Sequence, residues 1–160
     1  MKFTFVSKEN TVENALLANI WRENLAMTLP ELPKELASQL VESQYAGMLA
    51  SYHSAWPMLH KYLIQSSGQT LGLIVLNESD SELLIVDFII CPQYRNKGHG
   101  SNVLRWLINY CFAKNIKTLR LSVQKTNKAI QLYLAHQFVV SGVTDTHLSM
   151  VLQINNTQRH

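Results

Sequence analysis

Charge is scarce in this chain. Only 16% of its 160 residues are Asp, Glu, Lys or Arg, against about 25% in an ordinary soluble domain. Asn, Gln, Ser and Thr must therefore supply much of the surface polarity. Cysteine is scarcer still, with only Cys91 and Cys111 and no CxxC spacing. That excludes a disulfide framework and suits a reducing compartment, so a bacterial-type cytoplasmic protein with two buried thiols is the expectation. The six histidines, at 53, 60, 99, 136, 147 and 160, never stand at HxxxH spacing or beside a cysteine pair, and no metal site is expected. No apolar run approaches the roughly 20 residues of a membrane-spanning helix. The opening Met1–Val6 is too short for a signal-peptide core.

What is plentiful is apolar material, 47% of residues, enough for a sizeable core. The length fits one domain, expected over 1–154, followed by a polar tail over 155–160 that looks disordered. Fourteen basic residues against eleven acidic give a net charge of +3, which is mild. The one tight basic group, Arg95 with Lys97, suits a small phosphorylated ligand better than a nucleic acid.

Periodicity supplies the elements. Residues 1–6 alternate as a short strand. Asn10 and Glu13 make a capping box ahead of a helix with Leu17, Ile20, Trp21, Asn24 and Leu25 at helical spacing. Pro30 and Pro33 end it. A second helix runs from about Lys34 to Tyr52, its inner face Leu36, Leu40, Val41, Met48, Leu49 and Tyr52, and Pro57 closes it. The period then changes to that of strands at 59–65, 70–76 and 82–90, the last two joined through Asn77–Asp80 as an antiparallel hairpin. A helix over about 101–113 turns Leu104, Leu107, Ile108 and Cys111 inward. A strand at 118–123, a short helix at 127–136 and strands at 138–143 and 147–152 complete the order β-α-α-β-β-β-α-β-α-β-β. This mixes a meander with βαβ crossovers, an α+β or mixed α/β domain with helices on both faces of its sheet.

The strongest local signal is Arg95-x-x-Gly98-x-Gly100, between the strand ending at Ile90 and the helix that follows. The first turn of a helix has unpaired N–H groups and the positive end of the dipole, a ready anion site. Glycines let a phosphate approach the backbone closely. A pyrophosphate is the natural guest. The pattern is neither the three-glycine dinucleotide fingerprint nor a Walker loop; the plain alternative is a turn with two glycines.

Pro92 stands three residues before Arg95, after Phe88, Ile89 and Ile90. Farther on, Thr126-Asn127-Lys128-Ala129-Ile130-Gln131-Leu132-Tyr133 precedes Phe138. In this order and spacing the residues resemble the GNAT superfamily of acetyl-CoA-dependent N-acetyltransferases, over roughly 58–152 and more weakly through the first two helices. The resemblance implies the GNAT fold, with a central mixed, largely antiparallel twisted sheet. It implies that Arg95, Asn96, Lys97, Gly98, His99, Gly100 and Ser101 cradle the CoA pyrophosphate. Phe88, Ile89 and Ile90 would give main-chain hydrogen bonds to the pantetheine arm, where this strand splays from the next. The family's usual Asn falls at Thr126, with Asn127 one residue later, and either could carry the contact. Gln137 replaces the glycine before Phe138, which puts the turn there in question.

The reaction implied is attack of a primary amine on the acetyl thioester. Tyr133 falls where the family's phenol protonates the leaving sulfur; the plain alternative is a packed helix residue. Asp87, a lone carboxylate in an apolar strand, needs a reason to be there. It either accepts from the substrate amine through water, or pairs with a cation or caps a loop. Glu82, at the strand's start, is the weaker candidate. His99 is expected to give backbone rather than imidazole, and His53 and His60 to be structural. Trp21, Tyr45, Tyr52 and Trp56 read as core or cleft wall. The acceptor is open among a small amine, an amino acid, an antibiotic and a protein amine, with the positive charge weighing against a polyamine. The rival readings are a non-catalytic CoA-binding regulatory module and an RNA-directed acetyltransferase. The second lacks a basic acceptor face, so no nucleic-acid or membrane partner is expected. The closing strands leave open a homodimer through sheet edges.

Overall fold

The computed structural model describes residues 1–155; the expected tail lies outside them except for Asn155. The order is β1 (Lys2–Phe5), α1 (Thr11–Ala26), α2 (Lys34–Ala55), β2 (His60–Ser66), β3 (Gln69–Glu78), β4 (Glu82–Ile90), a single 3₁₀ turn (Pro92–Tyr94), α3 (His99–Ala113), β5 (Thr118–Gln124), α4 (Ala129–Ala135), β6 (Val139–Val143) and β7 (His147–Gln153). The seven strands form one sheet in the order β1-β2-β3-β4-β5-β7-β6. It is mixed, with β4 and β5 parallel and β1–β2, β5–β7 and β6–β7 antiparallel. By packing, the chain divides into two compact units, 1–75 with 87–93 and 76–86 with 94 onward.

In the first unit, Asn10 caps α1, its Oδ1 accepting the Glu13 N–H at 2.9 Å while its amide donates to the Glu13 carboxylate at 2.7 Å. The expected capping box is therefore present, but closed side chain to side chain. Leu17, Ile20 and Trp21 are buried as the spacing predicts. In α2 only Val41 is fully buried. Leu36, expected on the inner face, is exposed because it stands in the first turn, ahead of Leu40 and Val41 where burial begins. The β2–β3 turn is Ser67-Gly68, both at positive φ (51° and 77°), the pairing that a two-residue type I′ hairpin demands. In β3, Gly72 is obligatory: a Cβ there would stand 1.9 Å from the carbonyl oxygen of Ile89.

In the second unit the β3–β4 turn is tighter than the run Asn77–Asp80 suggests. β3 continues through Glu78, and Ser79 closes the turn by donating its N–H to the Glu82 carbonyl at 2.9 Å. Leu104, Leu107, Ile108 and Cys111 of α3 and Leu119, Leu121 and Val123 of β5 are buried, so both periods place the core correctly. β5 pairs with β4 over Glu82–Ile85 and with β7 along its whole length.

Gln137 answers the question of the missing glycine. It takes φ 71°, the left-handed conformation, and the Phe138 N–H still reaches the Tyr133 carbonyl at 3.1 Å. The turn is kept, at a conformational cost of roughly 1–2 kcal/mol for a residue with a Cβ. Gln137→Gly should relieve it. Glycine's extra freedom in the unfolded chain offsets part of the gain, so the expected net is about 1 kcal/mol of added stability. That is a rise of about 2–4 °C in Tm, read by thermal unfolding; an unchanged or lower Tm would show that the turn stores no strain.

Candidate functional site

Two features organise the loop between β4 and α3. The 3₁₀ turn Pro92–Tyr94 ends the strand's direction, and Asn96 (φ 59°) and Gly98 (φ 84°) then bend the backbone through the left-handed region on either side of Lys97. Gly98 caps α3, its carbonyl accepting from the Asn102 N–H at 3.1 Å. That first helical bond leaves the N–H groups of His99, Gly100 and Ser101 ahead of any helical acceptor. His99 and Gly100 thus belong to the first turn of the helix, not to the loop before it. Nothing lies within 4 Å of where a Gly98 Cβ would stand. Arg95, Asn96 and Lys97 are exposed, and no acid occurs between Gln93 and Ser101. The stretch thus offers cationic and N–H donors and no carboxylate, the chemistry that holds a phosphate.

The start of α3 is fixed against α4. A Cβ on Gly100 would come within 2.8 Å of the Leu132 methyl Cδ2, and the Ser101 hydroxyl lies 3.1 Å from His136 Nε2. On α4, Tyr133 is buried and packs its ring 5.7 Å from that of Phe138. Asn127 accepts the Ala129 N–H at 2.8 Å, which caps the helix, while Thr126 is exposed one residue earlier. Asn127 therefore has a structural task of its own. Cys111 is fully buried, and burial together with the charge of Glu78 pushes its thiol up to about 12. It stays protonated and inert. Neither cysteine is in a disulfide.

Within the other unit, β4 presents Asp87 to both N-terminal helices. Its Oδ2 accepts the Trp21 indole N–H at 2.8 Å and the Tyr52 hydroxyl at 3.0 Å, and its Oδ1 accepts the Phe88 N–H at 2.9 Å. No cation pairs with it among the described residues. Desolvation pushes its pKa above the ordinary carboxylate value, opposed by the bonds from Trp21, Tyr52 and Phe88 in that order. The Tyr52 hydroxyl is pushed up in turn, first by burial and then by the charge and hydrogen bond of Asp87. Ile89 turns its carbonyl toward Gly72, and Cys91 donates to Leu71 at 2.8 Å.

Trp21 and Tyr52 are the hydrogen-bond partners of Asp87 that reading the sequence as core or wall leaves out. The signal was present: inward aromatics with a polar tip require acceptors, and Asp87 requires donors. Tyr45 lies 6.0 Å from Trp21 and Trp56 lies 6.1 Å from Tyr52. His53 touches Lys61 at 3.4 Å and His60 packs edge-on to Phe5, both structural roles. Glu82 pairs with Arg120 at 3.2 Å. A surface cavity of about 330 Å³, lined by Phe112, Asn115, Ile116, Lys117, Ile154 and Asn155, takes in none of the candidate residues. Among the described residues no three His, Cys, Asp or Glu gather as a metal site, and no helix is long and apolar enough to cross a membrane.

Comparison with known proteins gives one family. The model of the acetyltransferase (GNAT) family matches residues 21–138. Among solved structures, the chain is similar to Ard1 from Thermoplasma volcanium, at 20% identity over 97% of this chain and 98% of that one, TM-score 0.61. It is similar to the PaiA N-acetyltransferase from Thermoplasma acidophilum, solved with coenzyme A, at 15% identity over 96% and 99%, TM-score 0.65. It is also similar to the N-acetyltransferase PseH from Campylobacter jejuni, solved with acetyl coenzyme A, at 20% identity over 96% and 99%, TM-score 0.64. No curated protein sequence matches it.

The raised pKa of Asp87 has a sign that stability measurements read. The folded state holds this proton more tightly than the unfolded chain, so the contribution is present below the ordinary carboxylate range and is lost as pH rises through the folded value. Asp87→Asn removes that fall. The difference in unfolding free energy, variant minus wild type, should therefore climb as pH rises from about 4, measured by urea unfolding at a series of pH values. A flat difference would mean that the carboxylate is not desolvated.

Proposed function

The chain belongs to the GNAT acetyltransferase family, and on that premise we propose that it transfers the acetyl group of acetyl-CoA to a primary amine by direct attack in a ternary complex. The observation that carries the reading is the loop opening α3, where a left-handed glycine cap, first-turn N–H groups and two exposed cations meet in a stretch with no acid between Gln93 and Ser101. This donor set fits a pyrophosphate. Arg95, Asn96, Lys97, Gly98, His99, Gly100 and Ser101 would hold it, chiefly through backbone. Phe88, Ile89 and Ile90 would offer main-chain hydrogen bonds to the pantetheine arm, although the Ile89 carbonyl is directed at Gly72. At the second motif Thr126 is the better candidate for a cofactor contact, since Asn127 is committed to capping α4.

Acetyl-CoA brings the activated acyl group, and the protein's own residues manage the protons. As the amine nitrogen bonds to the acetyl carbon, the carbon–sulfur bond breaks. The amine gives up a proton to Asp87, directly or through water, and the departing sulfur takes one from the Tyr133 hydroxyl. A phenol suits this role, since it holds its proton at neutral pH yet can share it as the thiolate forms. The acceptor is a primary amine of a small molecule, an amino acid, an antibiotic or a protein. Buried thiols favour a reducing, cytoplasmic setting. β6, at one edge of the sheet, exposes Val139, Val140 and Val143, which favours a homodimer through that edge. Light scattering should then give twice the chain mass, and Val140→Lys should return it to one.

Thermal unfolding with saturating acetyl-CoA, desulfo-CoA and ATP tests the site itself. Ligand at about 100 times its Kd adds roughly 2.7 kcal/mol, so both CoA species should raise Tm by several degrees while ATP does not. No shift with any of them would reduce the loop to a turn. A screen of amines for thiol release from acetyl-CoA then identifies the acceptor. Tyr133→Phe should slow turnover about 100-fold or more with the desulfo-CoA shift unchanged. Equal rates would remove Tyr133 as the acid, and a CoA-stabilised protein that turns over no amine would favour the non-catalytic module.

A further inference from the structure

Asp87 is held by two side chains that come from different helices and donate to the same oxygen. Trp21 stands on α1 and Tyr52 on α2, and both end on Oδ2. A carboxylate oxygen accepts about two hydrogen bonds in its plane, so Oδ2 is filled. Oδ1 takes one, from the Phe88 N–H, and keeps a lone pair. The residue as a whole is intermediate in burial, while its carboxylate is strongly desolvated. From this arrangement we infer that Tyr52, with Trp21, is a positioning residue of the acetyl transfer: the pair fills Oδ2 and fixes the carboxylate so that Oδ1 is the atom that receives the amine proton. The inference rests on the acetyltransferase reading and on Asp87 as its base.

The choice of donors matters. A guanidinium or ammonium beside Asp87 would satisfy it as well, but an opposite charge lowers a carboxylate's proton affinity and weakens it as a base. An indole and a phenol satisfy the same oxygen without adding charge. Two cations of the same unit are engaged elsewhere. Lys61 of β2 lies against the Trp21 ring, 5.9 Å from its centre, rather than against the carboxylate, and Arg22 of α1 is paired with Glu42 of α2 and stacked over Tyr45. Desolvation strengthens the base and neutral hydrogen bonds keep enough of it ionised. Removing one donor should therefore raise its proton affinity further. A hydrogen bond to a charged group is strong enough to move a titration midpoint by about one pH unit.

The Trp21 indole N–H reports this directly, because it bonds the atom that titrates. In protein labelled with ¹⁵N-tryptophan, its resonance should shift with pH in the wild type and stay still in Asp87→Asn. In Tyr52→Phe the midpoint should move up by about one unit, with the desulfo-CoA thermal shift intact. The acidic limb of the kcat/KM profile, measured by thiol release with the amine from the screen, should move with it. Identical midpoints in wild type and Tyr52→Phe would overturn the inference, as would a moved midpoint with an unmoved rate profile. Trp21→Phe, followed through the rate profile alone, gives the same decision should Tyr52→Phe not fold. The resonance needs no acceptor, so a failed link between Tyr52 and Asp87 is told apart from a failed enzyme. Normal turnover by Asp87→Asn would remove the base, and the positioning role with it.

Discussion

A carboxylate in an apolar strand, satisfied without a counter-ion, is the constraint from which the N-terminal unit follows. Ionised Asp87 in surroundings of low polarity is costly unless its lone pairs find donors. α1 and α2 carry those donors, so the two helices do more than cover apolar surface. Trp21 must be buried to reach Oδ2, and the Tyr52 hydroxyl must arrive from the other helix to share it. The aromatic neighbours Tyr45 and Trp56 then pack around a polar point rather than an oily one. Stability and chemistry are set against each other at one side chain. The desolvation that makes Asp87 a better base also makes the folded state pH-dependent.

The second unit is organised by backbone rather than by a charged side chain. Its features are a left-handed cap, a helix start and a short helix pressed against it through Gly100–Leu132 and Ser101–His136. Glycine at 98 and 100 serves two different needs. At 98 it permits a positive φ, and at 100 it removes a methyl group that Leu132 would meet. Tyr133 rides on the helix so fixed. The donors of α3 and the phenol of α4 are thus held by contacts within one packed unit.

Most elements were legible from periodicity because their apolar residues repeat cleanly. The bounds of β4 agree residue for residue with the alternation and apolar run from Glu82 to Ile90, and the inner face of α3 was readable from four residues. The errors fall where polar residues take up helix or strand geometry. His99 and Gly100 look like loop yet form the first turn of α3, since a helix start tolerates residues that would weaken its middle. Glu78 extends β3 into what reads as a turn. Leu36 looks inward by spacing, but spacing cannot say how far along a helix its neighbour extends. At the site, the glycine pattern and the lone Asp87 were visible in the chain. Which aromatic tips reach Asp87 was not, because Trp21 and Tyr52 lie 66 and 35 residues from it in sequence. The left-handed turn at Gln137 was hidden for another reason: sequence preference argues against it, and the surrounding packing overrides the preference.

The backward bends at Asn96 and Gly98 carry one more consequence. A loop whose course is set by its own dihedral angles, and then continued by a helix, is already in its binding shape before an anion arrives. On the proposed reading, the freedom that capture removes is mainly that of long side chains such as Lys97, at roughly 0.5–1.5 kcal/mol for each one immobilised. Selectivity at this loop then lies in shape before charge, because the curve of N–H groups is set by its own backbone rather than by the ligand.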